Sequence, residues 1–444
     1  MKNKIQFKII FLLSTILFFI NSAYSEDQSD RDILTLKDSI LIAFNNNKDI
    51  QIQEQELKVS TANILGARSE FLPHVNLDGA YTHNDKVFAQ NIFTGYNNDN
   101  KISLFAIESV YSGGKNLANL RQSQLNLKAS EETLRAKKLD IEFEAKRLYF
   151  GLLLAYESAR IAREAFDQAI AHYKDVEKMF NQGVSSRFDL LQSKVQVSLL
   201  EPEVVKSKND IDSLKAELNK LLSRDVNTLI KINEKLECSF IDIKEHEFLK
   251  AAYLDKPEMR LKSLGIDIDK WSIEMAKSGY RPQIDLGAGY TYRSNNLGNI
   301  LENKYKNWSA GVSVSIPVFE GFSTKAKVDA ARARYTQAKL DKDNLADQIS
   351  VDIRNSCLNL KEAEAIIQSQ KDNVSVAAEA LRIAEVSYAN GVVTNLDVLD
   401  AQVSLAQIQK NLAESIYDYL MAQAYLDRNM AKSVIKEDNN EKKS

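Results

Sequence analysis

The sequence is poor in residues that interrupt helices and in residues that build metal or redox sites. Its 444 residues include only 5 prolines, 15 glycines, 4 histidines and 2 cysteines. Because proline and glycine are the residues that break helices, their scarcity favours long uninterrupted ones. The histidines, which are His74, His83, His172 and His246, have no partner at metal-ligand spacing. Nucleophile elbows, phosphate-binding loops and dinucleotide fingerprints are also missing. We therefore expect a protein that is not an enzyme and uses no metal or other cofactor.

The chain also lacks a hydrophobic run long enough to cross a membrane as a helix. The apolar run at 9–20 has about 12 residues, whereas a membrane-spanning helix needs about 20. Three lysines precede this run and the small residues 23–25 follow it, which is the layout of a secretory signal peptide. We expect residues 1–25 to be cleaved and the mature chain to begin near Glu26. A net charge of −3 argues against a nucleic-acid partner.

The chain does contain an internal repeat at an offset of about 208 residues. Residues 67–73 (ARSEFLP) recur as 276–282 (AKSGYRP), and 181–191 recur as 389–399. A duplicated unit predicts a pseudo-symmetric architecture such as a barrel, a bundle or an array. We assign the first repeat to 26–222, a connecting segment to 223–257, the second repeat to 258–432 and a charged, disordered tail to 433–444.

Each repeat has the predicted order helix, strand, strand, long helix, turn, helix. The predicted helices and strands of the first repeat are 34–69, 75–83, 102–111, 115–181 and, after a turn at Gly183, a helix to 222. Those of the second repeat are a helix that ends before Pro282, strands 283–293 and 308–317, a helix 324–389, a turn at Gly391 and a helix to 430. A helix of about 66 residues is roughly 100 Å long. The apolar stripe at 405, 408, 412 and 416 predicts coiled-coil packing against neighbouring helices.

The predicted strands alternate between an apolar face and a polar or small one. In the strand 283–293, the apolar face consists of Ile284, Leu286, Ala288, Tyr290 and Tyr292. Four such segments of about ten residues are typical of transmembrane β-strands. Four strands cannot close a barrel, since about eight are needed. The chain must therefore oligomerise, as a dimer with eight strands or a trimer with twelve, and the pattern does not choose between them.

The two cysteines allow two interpretations. Cys238 lies in the connecting segment and Cys357 near the middle of a long predicted helix. In an exported chain the pair could form a disulfide, and two buried free thiols are the alternative.

Several of these features together resemble the TolC-type outer-membrane efflux proteins over nearly the whole mature chain. The residues that carry the resemblance are the helix-to-strand prolines Pro73 and Pro282, the turn glycines Gly183 and Gly391, and the segment 395–401 (NLDVLDA). The resemblance implies an α+β, mostly α fold, in which a long α-helical barrel, a coiled-coil tunnel, joins a transmembrane β-barrel. It implies a homotrimer with four strands per chain, embedded in the lipid of the cell outer membrane, with the helices in the periplasm. It also implies docking to a periplasmic adaptor (membrane fusion protein) and an inner-membrane transporter, in efflux or type I secretion.

The resemblance also implies roles for residues at the helix turns, where the tunnel of this family narrows. Asp397, Asp400 and Tyr388 match the family's pore constriction. The two aspartates lie three residues apart and so share a helix face, where a ring of carboxylates would favour cations. Capping the helix start is the alternative role for Asp397, as it is for Asp189.

The tip departs from the family at one position. Members often carry a basic residue two positions after the second turn glycine, and here that residue is Val393. Arg187 and Asp189 in the first turn are candidates for locking the tip instead, and Arg187 could equally be solvated. Four residues of the turns are expected to contact the adaptor: Gly183, Val184, Gly391 and Val392. The alternative for the glycines is that they only supply a positive φ.

The expected function is therefore a passive exit duct that is gated at its periplasmic tip. The alternative is a secreted coiled-coil scaffold with a small soluble β-domain, and a stand-alone diffusion porin is a third possibility. The cargo is not readable from the sequence, since one tunnel serves many substrates.

Overall fold

The computed structural model describes residues 33–83, 98–296, 298, 300–302 and 306–435. The expected signal peptide and most of the expected tail lie outside the described residues. The elements of the first repeat are α1 (Leu36–Asn46), α2 (Lys48–Ser69), β1 (His74–His83), β2 (Asn98–Ser112), α3 (Lys115–Asn181) and α4 (Arg187–Leu221). The remaining elements are α5 (Glu245–Asp255), α6 (Pro257–Lys277), a 3-10 turn (Ser278–Tyr280), β3 (Gln283–Ser294), β4 (Lys306–Ser315), α7 (Ser323–Ala389) and α8 (Asn395–Asn429).

The long helices have the lengths that the repeat predicts. Both α3 and α7 contain 67 residues, and both α4 and α8 contain 35. At about 1.5 Å per residue, α3 and α7 are each roughly 100 Å long. The two repeats therefore build matching helical hairpins, α3 with α4 and α7 with α8.

The helix that the sequence predicts over 34–69 is divided at Asn47. Its backbone is extended (ψ 128°), and its side-chain oxygen accepts hydrogen bonds from the backbone N–H groups of Asp49 and Ile50. Its amide nitrogen also donates to the carbonyl of Leu221 at the end of α4, at 2.9 Å. Asparagine competes well for backbone groups at a helix start, and here a long-range contact fixes it there. The connecting segment 223–257 also contains a helix, α5, that its irregular pattern did not predict.

The four strands form one antiparallel sheet in the order β1-β2-β3-β4. One row across the sheet is Leu77, Leu104, Tyr290 and Trp308. The next row is Asp78, Ser103, Thr291 and Asn307. The faces therefore differ as the alternation predicts, with one apolar and the other polar. Since β1 and β4 pair on one side only among the described strands, the sheet has two open edges.

The helices bury two main apolar cores, one for each repeat. The first joins α1, α2, α3 and α4 through residues such as Ile50, Leu152 and Leu218. The second joins α5, α6, α7 and α8 through residues such as Ile353 and Tyr419. Within the described part of the chain, no helix is both long and apolar enough to span a membrane.

Both cysteines are free thiols in the second core, so the disulfide alternative is not realised. Cys357 is buried within that core, and Cys238 packs against it half-buried. Burial raises the pKa of both thiols, which keeps them protonated and unreactive near neutral pH.

Candidate functional site: the helix-turn tip

The two turns that end α3 and α7 have the same backbone structure. Gly183 (φ 76°) and Gly391 (φ 72°) are left-handed. The N–H of Gly183 donates to the carbonyl of Phe180, and the N–H of Val184 to that of Met179, both at 2.9 Å. The second turn repeats both bonds at the same distances. This is a Schellman motif, in which glycine supplies the positive φ.

The valine side chains on these two turns are exposed to solvent. Val184 is 69% exposed and Val392 is 76% exposed. Burial of such an exposed apolar side chain against another molecule would be energetically favourable. Their role as adaptor contacts stays a prediction.

Each turn is followed by a reciprocal capping box. In the second, the carboxylate of Asp397 accepts from the backbone N–H and the hydroxyl of Thr394, both at 2.7 Å. In the first, the carboxylate of Asp189 accepts from the hydroxyl of Ser186 at 2.7 Å and from its N–H at 3.2 Å. Each acid therefore caps the start of the helix that follows its turn. This is the capping role that the sequence left open as an alternative.

The capping contacts also set the charge of Asp397. Hydrogen bonds from the Thr394 hydroxyl, and then from its N–H, hold the pKa of this carboxyl below its usual range. The side chain is exposed, so it presents a persistent negative charge as well as a cap. The two roles are compatible.

Asp400 lies one turn further into α8 and takes part in no capping box. It is exposed on the same side of α8 as Asp397, while Val398 and Leu399 between them are buried. Val398 belongs to a small apolar cluster with Leu381 of α7. The tip thus presents two carboxylates on a surface that points away from the packed side of α8.

Tyr388 packs against the other hairpin near the tip. Its ring lies 5.4 Å from the ring of His172 on α3, at an interplanar angle of 57°. It is half-buried beside the small core at the tip. The structure therefore gives it a packing role within the chain, and its role at a constriction stays a prediction.

The lock that we expected from Arg187 and Asp189 is not formed within one chain. Arg187 is exposed, and it has no ion pair among the residues that the structure describes. The carboxylate of Asp189 is engaged by Ser186 and, at 3.4 Å, by the hydroxyl of Ser185. A lock through these residues would have to act between copies.

A buried polar junction between the hairpins is the feature that sequence reasoning missed. Asn395, the first residue of α8, is only 2% exposed. Its Oδ1 accepts from His172 Nε2 at 2.7 Å and from Ser193 Oγ at 3.1 Å, and its Nδ2 donates to Gln192 Oε1 at 3.1 Å. One amide thus joins α8 to both α3 and α4. One feature of the sequence distinguishes Asn395. The position equivalent to it in the first repeat is Arg187, so the two repeats differ in residue type at this point.

Replacing Asn395 with leucine is expected to destabilise the tip by about 1–3 kcal/mol, because the buried His172 would lose the acceptor of its hydrogen bond. Ser193 would still donate to the carbonyl of Asp189, at 2.9 Å. Hydrogen exchange of amides in the first two turns of α8 measures the effect. The matched control is Arg187→Leu, the equivalent but exposed position, for which we expect about 0.5 kcal/mol or less. Equal protection in the two variants would contradict a stabilising junction.

Comparison with known proteins agrees with this architecture. The chain matches the family model described as outer membrane efflux protein over residues 40–224 and 249–431, one segment per repeat. It is similar to the alkaline protease secretion protein AprF of Pseudomonas aeruginosa, at 21% identity over 331 residues, 74% of this chain and 69% of the relative. It is also similar to the outer membrane protein TolC of Vibrio cholerae, at 22% identity over 376 residues, 81% and 82% of the two chains. Among solved structures, the outer membrane protein VceC of Vibrio cholerae superposes with a TM-score of 0.78 at 19% identity, covering 89% of this chain and 96% of that one.

Proposed function

This chain belongs to the outer membrane efflux protein family, and we propose that three copies of it form a passive exit duct through the outer membrane. The duct would serve a multicomponent efflux or type I secretion system. Relatives of this chain differ in what they handle, since AprF is an alkaline protease secretion protein, whereas CusC of Escherichia coli, 22% identical over 402 residues, is a cation efflux system protein. The relatives therefore indicate no single cargo.

The observation that carries the proposal is the exposed apolar face of a sheet with two open edges. Leu77 and Trp308, at opposite ends of one row, are each 72% exposed. In water this face would be costly, at about 25 cal/mol per Å² of apolar surface. In lipid it would be favoured, provided that every backbone group is paired. Pairing β4 of one copy with β1 of the next satisfies that condition, and three copies give a closed wall of twelve strands.

The helical hairpins extend the duct away from the membrane. Helices α3 and α7 follow directly from the strands β2 and β4, so all hairpins leave the sheet at the same end. The tip turns then lie roughly 100 Å from the sheet. In a trimer, Asp397 and Asp400 of the three copies would place six carboxylates around one axis, which concentrates cations and repels anions.

The proposed duct has two partners at its tip. A periplasmic adaptor would meet the exposed turn residues Val184 and Val392, and through it the duct would reach an inner-membrane transporter. Cysteine crosslinking from Val184→Cys or Val392→Cys to the end of an adaptor's helical hairpin tests this contact. A secreted scaffold with a soluble β-domain, by contrast, would need a cover for Leu77 and Trp308, which the described residues do not provide.

The proposal is tested on the purified full-length protein. We expect an oligomer in the outer-membrane fraction that migrates as a trimer in SDS without heating and as a monomer after boiling. In planar bilayers, a duct with a closed tip should conduct little by itself. A water-soluble monomer would overturn the proposal, and an unmodified chain with the large steady conductance of a diffusion porin would overturn the gated tip.

A further inference from the structure

The second repeat has a bulky residue in a conformation for which the first repeat uses glycine. The turn from β2 into α3, which we call the first junction, contains Gly113 (φ 67°) and Gly114 (φ 93°). The turn from β4 into α7, the second junction, contains Gly321 (φ 58°) and Phe322 (φ 68°) at the equivalent positions. Left-handed backbone is strained for a side chain as large as phenylalanine. Such backbone strain is retained only where other contacts offset its energetic cost.

The first junction is covered by the segment Ser278–Arg281, which lies between α6 and β3. A Cβ atom placed on Gly113 would lie 2.7 Å from the carbonyl oxygen of Ser278 and 3.2 Å from Cβ of Arg281. Arg281 Nη1 also donates to the carbonyl of Gly113 at 3.1 Å. The contact follows from the sheet, because β2 pairs with β3 and so brings the junction beside the segment that enters β3.

The second junction is open on the corresponding side. A Cβ atom on Gly321 would have no neighbour within 4 Å. Val318 is 94% exposed, Phe319 76% and Phe322 70%. The rings of Phe319 and Phe322 pack edge to face on each other, 5.6 Å apart, and leave the rest of their surface uncovered.

The segment that could cover it is also open, at the other edge of the sheet. The repeat makes Ser69–Leu72, which enters β1, the equivalent of Ser278–Arg281. Phe71 is 41% exposed and Leu72, the equivalent of Arg281, is 60% exposed. A single chain therefore contains both surfaces needed for a second contact of this type, the second junction and Ser69–Leu72. Both surfaces are largely exposed among the described residues.

We propose that the second junction of one copy packs against Ser69–Leu72 of the next copy, with Phe322 against Leu72. The inference rests on the proposed trimer, in which β4 of one copy pairs with β1 of its neighbour as β2 pairs with β3 within the chain. The chemistry of the two contacts differs in a matched way. Within a chain, Arg281 meets a glycine turn, and between chains, Leu72 meets a phenylalanine. Burial of the ring against a neighbour offsets the strained backbone of Phe322, and three such contacts would form an apolar clasp around the duct.

The inferred contact specifies a crosslink. If the junctions are equivalent, Cβ of residue 321 and Cβ of residue 72 in the next copy lie about as close as a disulfide requires, roughly 3.5–4.5 Å. In a chain with Cys238 and Cys357 replaced by alanine, the pair Gly321→Cys and Leu72→Cys should give covalent trimers on a boiled, non-reducing gel. Each single variant is the control and should give monomers. Monomers from the double variant would overturn the contact.

A second measurement avoids a cysteine in left-handed backbone. A photoreactive phenylalanine analogue at position 322 should crosslink to residues 69–72 of another copy, identified by mass spectrometry of the peptides. Crosslinks to lipid alone would overturn the proposal and assign the aromatic pair to the membrane surface.

Substitution of Phe322 gives a result whose sign decides the question. Phe322→Gly removes both the ring and the strain, whereas Phe322→Ala removes the ring and keeps a side chain in left-handed backbone. If the ring packs between copies, both variants should dissociate to monomers at temperatures lower by roughly 5 °C or more. If the ring is free, Phe322→Gly should make the trimer more heat-resistant, which would contradict the inference. The unmodified chain separates the two proposals, because its failure to form a trimer would overturn the duct itself.

Discussion

Replacing Asp397 and Asp400 together with alanine is expected to lower the cation preference of the channel severalfold and to raise its single-channel conductance. Both carboxylates are exposed on one side of α8, just beyond the turn. In the proposed trimer their charges would converge on one axis, where low-dielectric walls strengthen the field. Reversal potentials in planar bilayers under a salt gradient measure the preference.

The controls separate the pore charge from the cap. Asp400→Asn removes a charge that caps nothing, so it should change selectivity without loss of stability. Asp397→Asn weakens a capping box as well, so it should also lower stability. Asp189→Asn, the matched capping acid of the first repeat, should cost similar stability and leave selectivity unchanged. Unchanged selectivity in the double alanine variant would remove the carboxylates from the mechanism.

The charge of Asp397 also predicts a pH dependence. Because hydrogen bonds from Thr394 lower the pKa of Asp397, its charge persists below the pH at which an ordinary aspartate is protonated. Its part of the cation preference should therefore be constant above the ordinary pKa and disappear only as the pH falls through the lowered one. In Thr394→Ala the loss should begin at a higher pH.

Replacing Arg428 with methionine is expected to destabilise the protein by about 1–3 kcal/mol, because the half-buried Glu258 would lose a hydrogen bond to a charged partner. The guanidinium of Arg428 is 2.6 Å from Asp140 on α3 and 2.6 Å from Glu258 on α6, and its side chain is 14% exposed. This single side chain from α8 therefore ties the second repeat to the first. Thermal unfolding in detergent measures the loss.

An exposed ion pair of the same type is the matched control. Arg382 is 2.7 Å from Glu379 on α7, and its side chain is 64% exposed. Exposed pairs contribute about 0–1 kcal/mol, so Arg382→Met should change little. Similar effects of the two substitutions would contradict a special role for the buried cluster.

The destabilisation by Arg428→Met should also depend on pH. Burial alone raises the pKa of Glu258, but the hydrogen bond and charge of Arg428 outweigh it and hold this pKa below the usual range. In the unmodified protein the pair therefore contributes stability above the ordinary glutamate pKa and loses it as the pH falls through the lowered one. Without Arg428, only Lys256 and a backbone hydrogen bond oppose the effect of burial on Glu258. We therefore expect a higher pKa for Glu258 in the variant, and a difference in stability between the two proteins that shrinks from pH 7 towards pH 5. A constant difference would show that lost packing, rather than charge, is the cause.

The parts of the fold that follow from local patterns were predictable. The helix predicted over 115–181 is α3 to the residue, because it contains no proline and only one glycine, Gly151, and the Gly183 turn ends it. The strand order within each repeat and both capping boxes follow from short motifs in the same way. The match of the family model to both repeats agrees with the expected fold class.

The parts that depend on distant contacts were not predictable. The break at Asn47 is set by its bond to Leu221, 174 residues away in sequence. The buried hydrogen bond between Asn395 and His172 at the tip joins residues 223 apart in sequence. Nothing in the local sequence around His172 indicated a contact with Asn395. The free state of the cysteines likewise depends on the core in which they are buried.

The open edges of the sheet have a consequence for the life of a single copy before it reaches the membrane. Among the described residues, the outer edges of β1 and β4 have no strand partner for their N–H and C=O groups, and they lie beside an apolar surface. Such an edge is a template for wrong pairing with any extended chain. Before a copy reaches the membrane, pairing with another copy and pairing with an unrelated extended chain therefore compete for the same backbone groups. The yield of duct should fall when synthesis outpaces delivery to the membrane, and an escort that masks β1 or β4 should restore it.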